Sequence, residues 1–154
     1  MGWGVVEREG TQLRRVASGV VRCGERPLPE RLRMIYAALA EVCAAHRPDE
    51  AAIEGIFHQR NAQSALVLGH ARGAALLALE HGGLVTAEYA PATVKKAVTG
   101  RGGAEKSQVQ GLVSVMLGRV DAATLDETDA LAIAICHLHA PRVAVEPAPA
   151  RGQR

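Results

Sequence analysis

The chain of 154 residues alternates short apolar runs with longer alanine-rich segments, and this alternation restricts its fold more than any other feature. Two runs at Trp3–Val6 and Leu13–Arg22, separated by a turn with Gly10, predict a β-hairpin. Further strands are predicted at Ala51–Phe57 and Leu84–Tyr89. Helical periodicity predicts five helices between and after them: Pro27–Ala45, Asn61–His81, a stretch from Pro91, Ala104–Leu117 and Thr124–His139. We therefore expect an α/β fold, a mixed β-sheet flanked by α-helices.

The composition excludes several classes of protein. The net charge is +2 and 48% of the residues are hydrophobic, which is typical of a globular domain and not of a disordered chain. We see no uninterrupted apolar run of about 20 residues that would span a membrane, and no secretory signal. The cysteines Cys23, Cys43 and Cys136 have neither disulfide nor zinc spacing, which favours a reducing cytoplasm. We expect one domain over residues 1–140 and a flexible tail at 141–154.

Three carboxylates stand where a metal site could form. Glu54 lies in an apolar strand, where an ionised side chain is costly unless a cation neutralises it. Asp126 and Asp129 share one face of the first turn of the last helix, which packs into the core through an apolar run. Alternatively, Glu54 is exposed at the end of the strand or paired with an arginine. The two aspartates would then only interact with the helix dipole, which favours acidic residues at a helix N-terminus. Together the three supply the oxygen ligands that Mg²⁺ or Mn²⁺ prefers.

The positive charge is concentrated in residues 91–120, which hold five cations and one anion. All three lysines of the chain, Lys95, Lys96 and Lys106, fall here beside a glycine-rich stretch. Such a cluster suits contacts with phosphates, although a solvated helix face would have the same composition. Phe57, the one phenylalanine, is either a core residue or a group that stacks on a base.

Three blocks of the sequence resemble the RuvC family of Holliday-junction resolvases. The opening Gly2-Trp3-Gly4-Val5-Val6 is also similar to that family's second strand. The first block contains Ile53-Glu54-Gly55-Ile56-Phe57 with Asn61, Ser64-Ala65, Leu68-Gly69 and Ala71-Arg72-Gly73. The second contains Val94-Lys95-Lys96, Val98, Gly100 and Ala104-Glu105-Lys106-Ser107-Gln108-Val109-Gln110. The third contains Asp126 followed by Asp129-Ala130-Leu131-Ala132-Ile133-Ala134-Ile135.

The resemblance implies a ribonuclease H-like fold and a homodimer that nicks four-way DNA junctions with Mg²⁺, or alternatively Mn²⁺, in recombination and repair. It implies that Glu54, Asp126 and Asp129 are catalytic metal ligands. It also makes Lys106 a catalytic residue that binds DNA together with Lys95 and Phe57. The helix over residues 61–79 would contribute to the dimer interface, and RuvA and RuvB are the implied branch-migration partners.

The resemblance also has one departure. The family's first strand, which is central in its sheet and ends in Asp-Pro-Gly with a further catalytic aspartate, has no counterpart before Gly2. We therefore expect a truncated chain and a thin sheet.

Three other functions are compatible with parts of the sequence. A junction-binding protein without catalysis would keep the basic window and lack metal chemistry. An actin-like or sugar-kinase relative would need glycine-rich phosphate loops, which we do not find. A nuclease of the same fold that processes ribosomal RNA precursors is disfavoured by the block from Ala104 to Gln110.

Overall fold

The computed structural model describes residues 1–55, 62–118 and 124–141. Within these ranges the order of strands and helices agrees with the predicted α/β fold, and the boundaries differ by a few residues. The elements are β1 (Gly2–Glu9), β2 (Gln12–Val20), α1 (Leu28–His46), β3 (Glu50–Glu54), α2 (Ala62–His81), β4 (Val85–Tyr89), α3 (Pro91–Thr99), α4 (Lys106–Met116) and α5 (Leu125–His139). Phe57 and all but the first residue of the predicted tail lie outside the described residues.

The described strands pair as two separate two-stranded sheets, whereas the sequence led us to expect one mixed sheet. β1 and β2 form the predicted antiparallel hairpin, and Gly10 in its turn has a φ of 62°. β3 and β4 run parallel, as a crossover through a helix requires. We call these pairs the hairpin half-sheet and the parallel half-sheet. They are not hydrogen-bonded to each other because a cleft lies between β1 and β3.

Helices cover the strands in two layers, each with its own hydrophobic core. One core is built by α3, α4 and α5 around the fully buried Leu131 and Ile135. The other joins α1 and α2 through Ile35 and Ala75, with Trp3 packed against it. The layers therefore lie on opposite faces of the strands, which is the arrangement expected for an α/β domain.

Glycines allow α5 to approach β1 very closely. A Cβ atom at Gly2 would lie 1.9 Å from the backbone oxygen of Asp126, and one at Gly4 would lie 2.6 Å from the Cδ2 atom of Leu131. A side chain at residue 2 would therefore push the backbone of α5 outward, whereas one at residue 4 would first displace the side chain of Leu131. The first turn of α5, which carries two of the candidate ligands, thus sits directly against the start of β1.

The structure confirms the helix starts that the sequence indicated most clearly. Thr124, where the last helix was predicted to begin, caps α5 and forms a capping box with Glu127. Pro91 is in the first turn of α3, as its fixed φ favours. A second capping box, between Glu105 and Gln108 at the start of α4, was not predicted. None of the helices in the described ranges is long and apolar enough to cross a membrane.

Candidate active site

The predicted carboxylates converge where β3 ends and α5 begins. Glu54 is the last residue of β3, and Asp126 and Asp129 occupy the first turn and a half of α5. The Nζ atom of Lys106, the first residue of α4, donates to Oδ2 of Asp129 at 2.8 Å. The N-terminal ammonium of Met1 lies 3.6 Å from Oδ2 of Asp126. Three carboxylates and two cations from four parts of the chain therefore share one region.

Electrostatic interactions show that these charges act on one another. Glu54 is exposed at the end of β3, and its pKa is raised, first by partial desolvation and next because Asp129 repels its negative charge. Lys106 opposes this shift, because its positive charge favours the ionised form of Glu54. The pKa of Lys106 is itself raised, mainly by its hydrogen bond to Asp129, with smaller contributions from Asp126 and Glu54. The three carboxylates and Lys106 are thus close enough to influence one another's charge.

The donor chemistry of this site fits a hard divalent cation. Carboxylate oxygens are the ligands that Mg²⁺ and Mn²⁺ prefer, and like charges held together favour a cation between them. In the described ranges no three candidate ligands already surround a common point. Lys106 instead pairs with Asp129. A metal bound here would compete with that ammonium group for the same carboxylate.

The start of α5 is fixed by contacts beyond its own backbone. The carboxylate of Glu127 accepts from the backbone N–H of Thr124 at 2.8 Å and from the hydroxyl of Ser18 on β2 at 3.2 Å. The bond from Thr124 is the main reason that the pKa of Glu127 is lowered. This cap ties the first turn of α5 to the hairpin half-sheet and thereby sets the position of Asp126 and Asp129.

Sequence reasoning missed Arg72, which supports the end of β3. Its Nε atom donates to the backbone oxygen of Glu54 at 3.5 Å, and its Nη2 atom pairs with Glu88 on β4 at 2.5 Å. The side chain is only 20% exposed. A cation inside the otherwise apolar central part of α2 is a signal in the sequence that could have identified this role.

Of the other predicted site residues, only Lys95 lies in the described part of the chain, and it does not join the carboxylates. Lys95 lies on α3, half-buried, and it is not among the charges that shift the pKa of Glu54 or Lys106 in the described part of the chain. His137, near the end of α5, contacts the hydroxyl of Tyr89 at 2.9 Å and Glu50 at 3.0 Å. Phe57 lies outside the described residues.

Comparison with known proteins assigns the family. The model of the family described as crossover junction endodeoxyribonuclease RuvC matches residues 1–137. This chain belongs to the RuvC family. The RuvC of Alkalilimnicola ehrlichii is 50% identical over 139 residues, which cover 90% of this chain and 84% of that protein. The RuvC of Hahella chejuensis is 51% identical over 138 residues, which cover 90% of this chain and 80% of that protein. Both relatives are named crossover junction endodeoxyribonucleases.

Solved RuvC structures share the fold. The structure of Thermus thermophilus RuvC matches with a TM-score of 0.79 at 36% identity, covering 89% of this chain and 86% of that one. The T. thermophilus RuvC in complex with a Holliday junction substrate matches with a TM-score of 0.83 at 36% identity, covering 89% and 85%. The resemblance and the ribonuclease H-like fold class predicted from the sequence are confirmed. The actin-like or sugar-kinase alternative is not supported.

Proposed function

We propose that this RuvC-family chain is an endodeoxyribonuclease that resolves four-way DNA junctions by paired nicks. The observation that carries the proposal is the convergence of Glu54, Asp126 and Asp129 with Lys106 at the end of β3. Relatives about half identical in sequence are named for this activity, which favours cleavage over junction binding alone. Phosphodiester hydrolysis at clustered carboxylates is the chemistry that such a site can perform.

In the proposed mechanism Glu54, Asp126 and Asp129 hold Mg²⁺, with Mn²⁺ as an alternative. Divalent ions at such a site supply an activated water and stabilise the leaving oxygen of the phosphodiester. The protein's own contribution is to hold the three carboxylates at fixed element ends, through Arg72 behind β3 and the Thr124 cap of α5. Lys106 is exposed, and once freed from Asp129 its ammonium can neutralise charge that develops on the phosphate.

The DNA would follow the basic residues beside this site. Lys106 already borders the carboxylates, and Lys95 lies on the neighbouring helix within the window of residues 91–120. We propose that both contact phosphates and that Phe57 contacts a base near the junction centre. Contacts of this type make binding strongly dependent on salt concentration.

We further propose a homodimer, because two opposing nicks require two sites related by a two-fold axis. The face of α2 away from α1 offers a surface for it: Leu66 is 55% exposed and Leu77 is 51% exposed. Leu77→Glu should yield a monomer in size-exclusion chromatography with light scattering. Val115→Glu on α4, at a residue 77% exposed, should leave the dimer intact. Assembly with RuvA and RuvB, and location in the cytoplasm, remain predictions of the resemblance.

The proposed activity is tested with a labelled four-way junction, Mg²⁺ and a linear duplex of the same sequence as substrate control. We expect symmetric nicks in the junction, their loss in Glu54→Gln, and wild-type nicking in Glu41→Gln, which removes an exposed carboxylate on α1 far from the site. Wild-type nicking by Glu54→Gln would refute the mechanism. Junction binding in a gel shift without any nicking by the wild type would refute the proposed reaction.

A further inference from the structure

A β-bulge in the hairpin half-sheet changes which residues of β2 face α5. The register of the two strands shifts between Val5 and Val6 of β1. Their partners on β2 are Ala17 and Arg15, so Val16 is an extra residue without a partner on β1. Side chains alternate between the two faces of a regular strand, and one extra residue reverses that alternation for the rest of the strand. The bulge can therefore bring side chains onto one face that a regular strand would place on opposite faces.

The face of the hairpin that packs against α5 carries both Ser18 and Arg15. On β1, a Cβ atom at Gly4 would meet Leu131 of α5, and Val6 packs against the core that α5 helps to build. The partners of these two residues on β2 are Ser18 and Arg15. Directly opposite residues of an antiparallel pair share a face. Ser18 and Arg15 therefore both face α5, although they are three positions apart.

Arg15 and Ser18 form a chain of hydrogen bonds that ends on the first turn of α5. The Nη1 atom of Arg15 donates to the hydroxyl oxygen of Ser18 at 2.9 Å, and this hydroxyl donates to Oε1 of Glu127 at 3.2 Å. A guanidinium only donates and an ionised carboxylate only accepts, so Ser18 must accept one bond and donate the other. Arg15 thereby directs the single hydroxyl hydrogen of Ser18 towards Glu127.

The adjacent Arg14 lies on the other face of the hairpin. It pairs with Glu7, which is also its partner in the register of the two strands. Both arginines are exposed. They have the same charge and neighbouring positions, but in the described part of the chain only the hydrogen bonds of Arg15 lead to α5. Arg14 is therefore a matched control for Arg15.

We propose that Arg15 and Ser18 are positioning residues for junction nicking. They fix the first turn of α5 through Glu127, which stands in the chain between the candidate metal ligands Asp126 and Asp129. A functional side chain works only when residues around it hold it within about 0.5 Å of its productive position. The bulge supplies this support by turning an exposed cation towards the catalytic helix. The inference rests on the proposed function, since it concerns the same carboxylate site.

The first measurement uses the free protein in EDTA and needs no cleavage. Amide hydrogen exchange of Glu127 and Thr128 reports how firmly the first turn is held, because both backbone nitrogens donate to Thr124, at 3.3 and 3.0 Å. We expect exchange at these amides to be about tenfold faster in Ser18→Ala, which loses a hydrogen bond to a charged group. It should be about threefold faster in Arg15→Met, because exposed interactions contribute less.

Two further variants separate the hydrogen-bond chain from a general effect of charge. Arg14→Met removes the same charge from the other face of the hairpin, and exchange at the two amides should equal that of wild type. Arg15→Lys keeps a donor that can reach the hydroxyl of Ser18, and it should restore most of the protection that Arg15→Met loses. All measurements are made well below the Tm of every variant.

The second measurement is single-turnover nicking of the four-way junction with Mg²⁺ at saturating enzyme. We expect nicking to be about tenfold slower in Ser18→Ala and about threefold slower in Arg15→Met, since a displacement of about 1 Å can cost about 10²-fold. Junction affinity in a gel shift should stay within about twofold of wild type, because a phosphate contact is not lost. The double variant should nick no slower than Ser18→Ala, because Arg15 acts through that hydroxyl.

Four results would overturn the inference. They are unchanged amide exchange in Ser18→Ala, faster exchange with wild-type nicking, junction binding weakened by Arg15→Met, and additive losses in the double variant. The first of these is decisive whether or not the wild type nicks. If the wild type does not nick but the exchange results are as expected, the proposed function fails, whereas the role of Arg15 and Ser18 in fixing α5 is supported.

Discussion

Gly2→Ala should disable the candidate active site although residue 2 carries no catalytic group. The new Cβ would stand 1.9 Å from the backbone oxygen of Asp126 and 2.3 Å from its carbonyl carbon. Ordinary contact begins at 3.4 Å, so β1 and α5 must separate by about 1.5 Å. β1 is held at this end because Met1 and Val21 exchange two backbone hydrogen bonds, at 2.9 and 3.2 Å. The first turn of α5 therefore takes up much of the displacement.

The expected loss follows from the size of this shift. A misplacement of about 1 Å at a reacting centre can reduce the rate by about 10²-fold. We therefore expect Gly2→Ala to slow junction nicking by about two orders of magnitude in a single-turnover assay. Overpacking should also cost about 1–3 kcal/mol of unfolding free energy, or about 2–4 °C in Tm for each kcal/mol.

Gly4→Ala is the matched control for this prediction. Its Cβ would stand 2.6 Å from Leu131 Cδ2, the tip of a side chain that can rotate. We expect a similar loss of stability but nicking within a few-fold of wild type. Equal loss of nicking in both variants at a temperature well below both Tm values would refute the link between residue 2 and the position of Asp126. So would wild-type nicking by Gly2→Ala.

Three further predictions concern stability and thiol chemistry. Leu131→Ala, at a fully buried position, should lower the free energy of unfolding by about 2–5 kcal/mol in denaturant titrations. Leu125→Ala, at a residue 58% exposed, should change the free energy of unfolding by less than about 0.5 kcal/mol. Partial desolvation and the charge of Asp129 raise the pKa of Glu54 in the folded state. The contribution of Glu54 to folding stability is therefore present at low pH and is lost as the pH rises above 4.5, the ordinary pKa of a glutamate. In EDTA, Glu54→Gln should therefore gain Tm relative to wild type between pH 4 and 7, and a constant difference would contradict this. Burial raises the pKa of Cys136, so a disulfide reagent at pH 8 should modify it more slowly than Cys23, as mass spectrometry of labelled peptides would show.

The features that the sequence predicted well depend on neighbouring residues. The start of α5 at Thr124, the turn at Gly10 and the start of α3 at Pro91 are each determined within a few positions of the chain. The grouping of Glu54 with the two aspartates was also predictable, because strand ends and helix starts meet at one edge of an α/β fold.

The features that the sequence did not predict depend on packing between elements that are distant in the chain. Lys106 and Asp129 are 23 residues apart, and the bond from Arg72 to the backbone oxygen of Glu54 joins the middle of α2 to the end of β3. Neither contact leaves a periodic signal. The sequence led us to expect a sheet without its central strand but not how the described strands would divide, because hydrophobic patterns identify strands but not which edges pair.

The role of α5 connects the cleft with the candidate active site. In the described ranges it contacts all four strands and therefore bridges the two half-sheets. Its first turn carries Asp126 and Asp129, and further along the same helix Ala130 and Ala134 line the cleft. A change in the packing of α5 should therefore reach both half-sheets. We expect Leu131→Ala, at a fully buried position, to speed amide hydrogen exchange in β1, β3 and α5 together, since exchange reports the free energy of local opening. Faster exchange confined to α5 would show that the helix is not coupled to the two half-sheets.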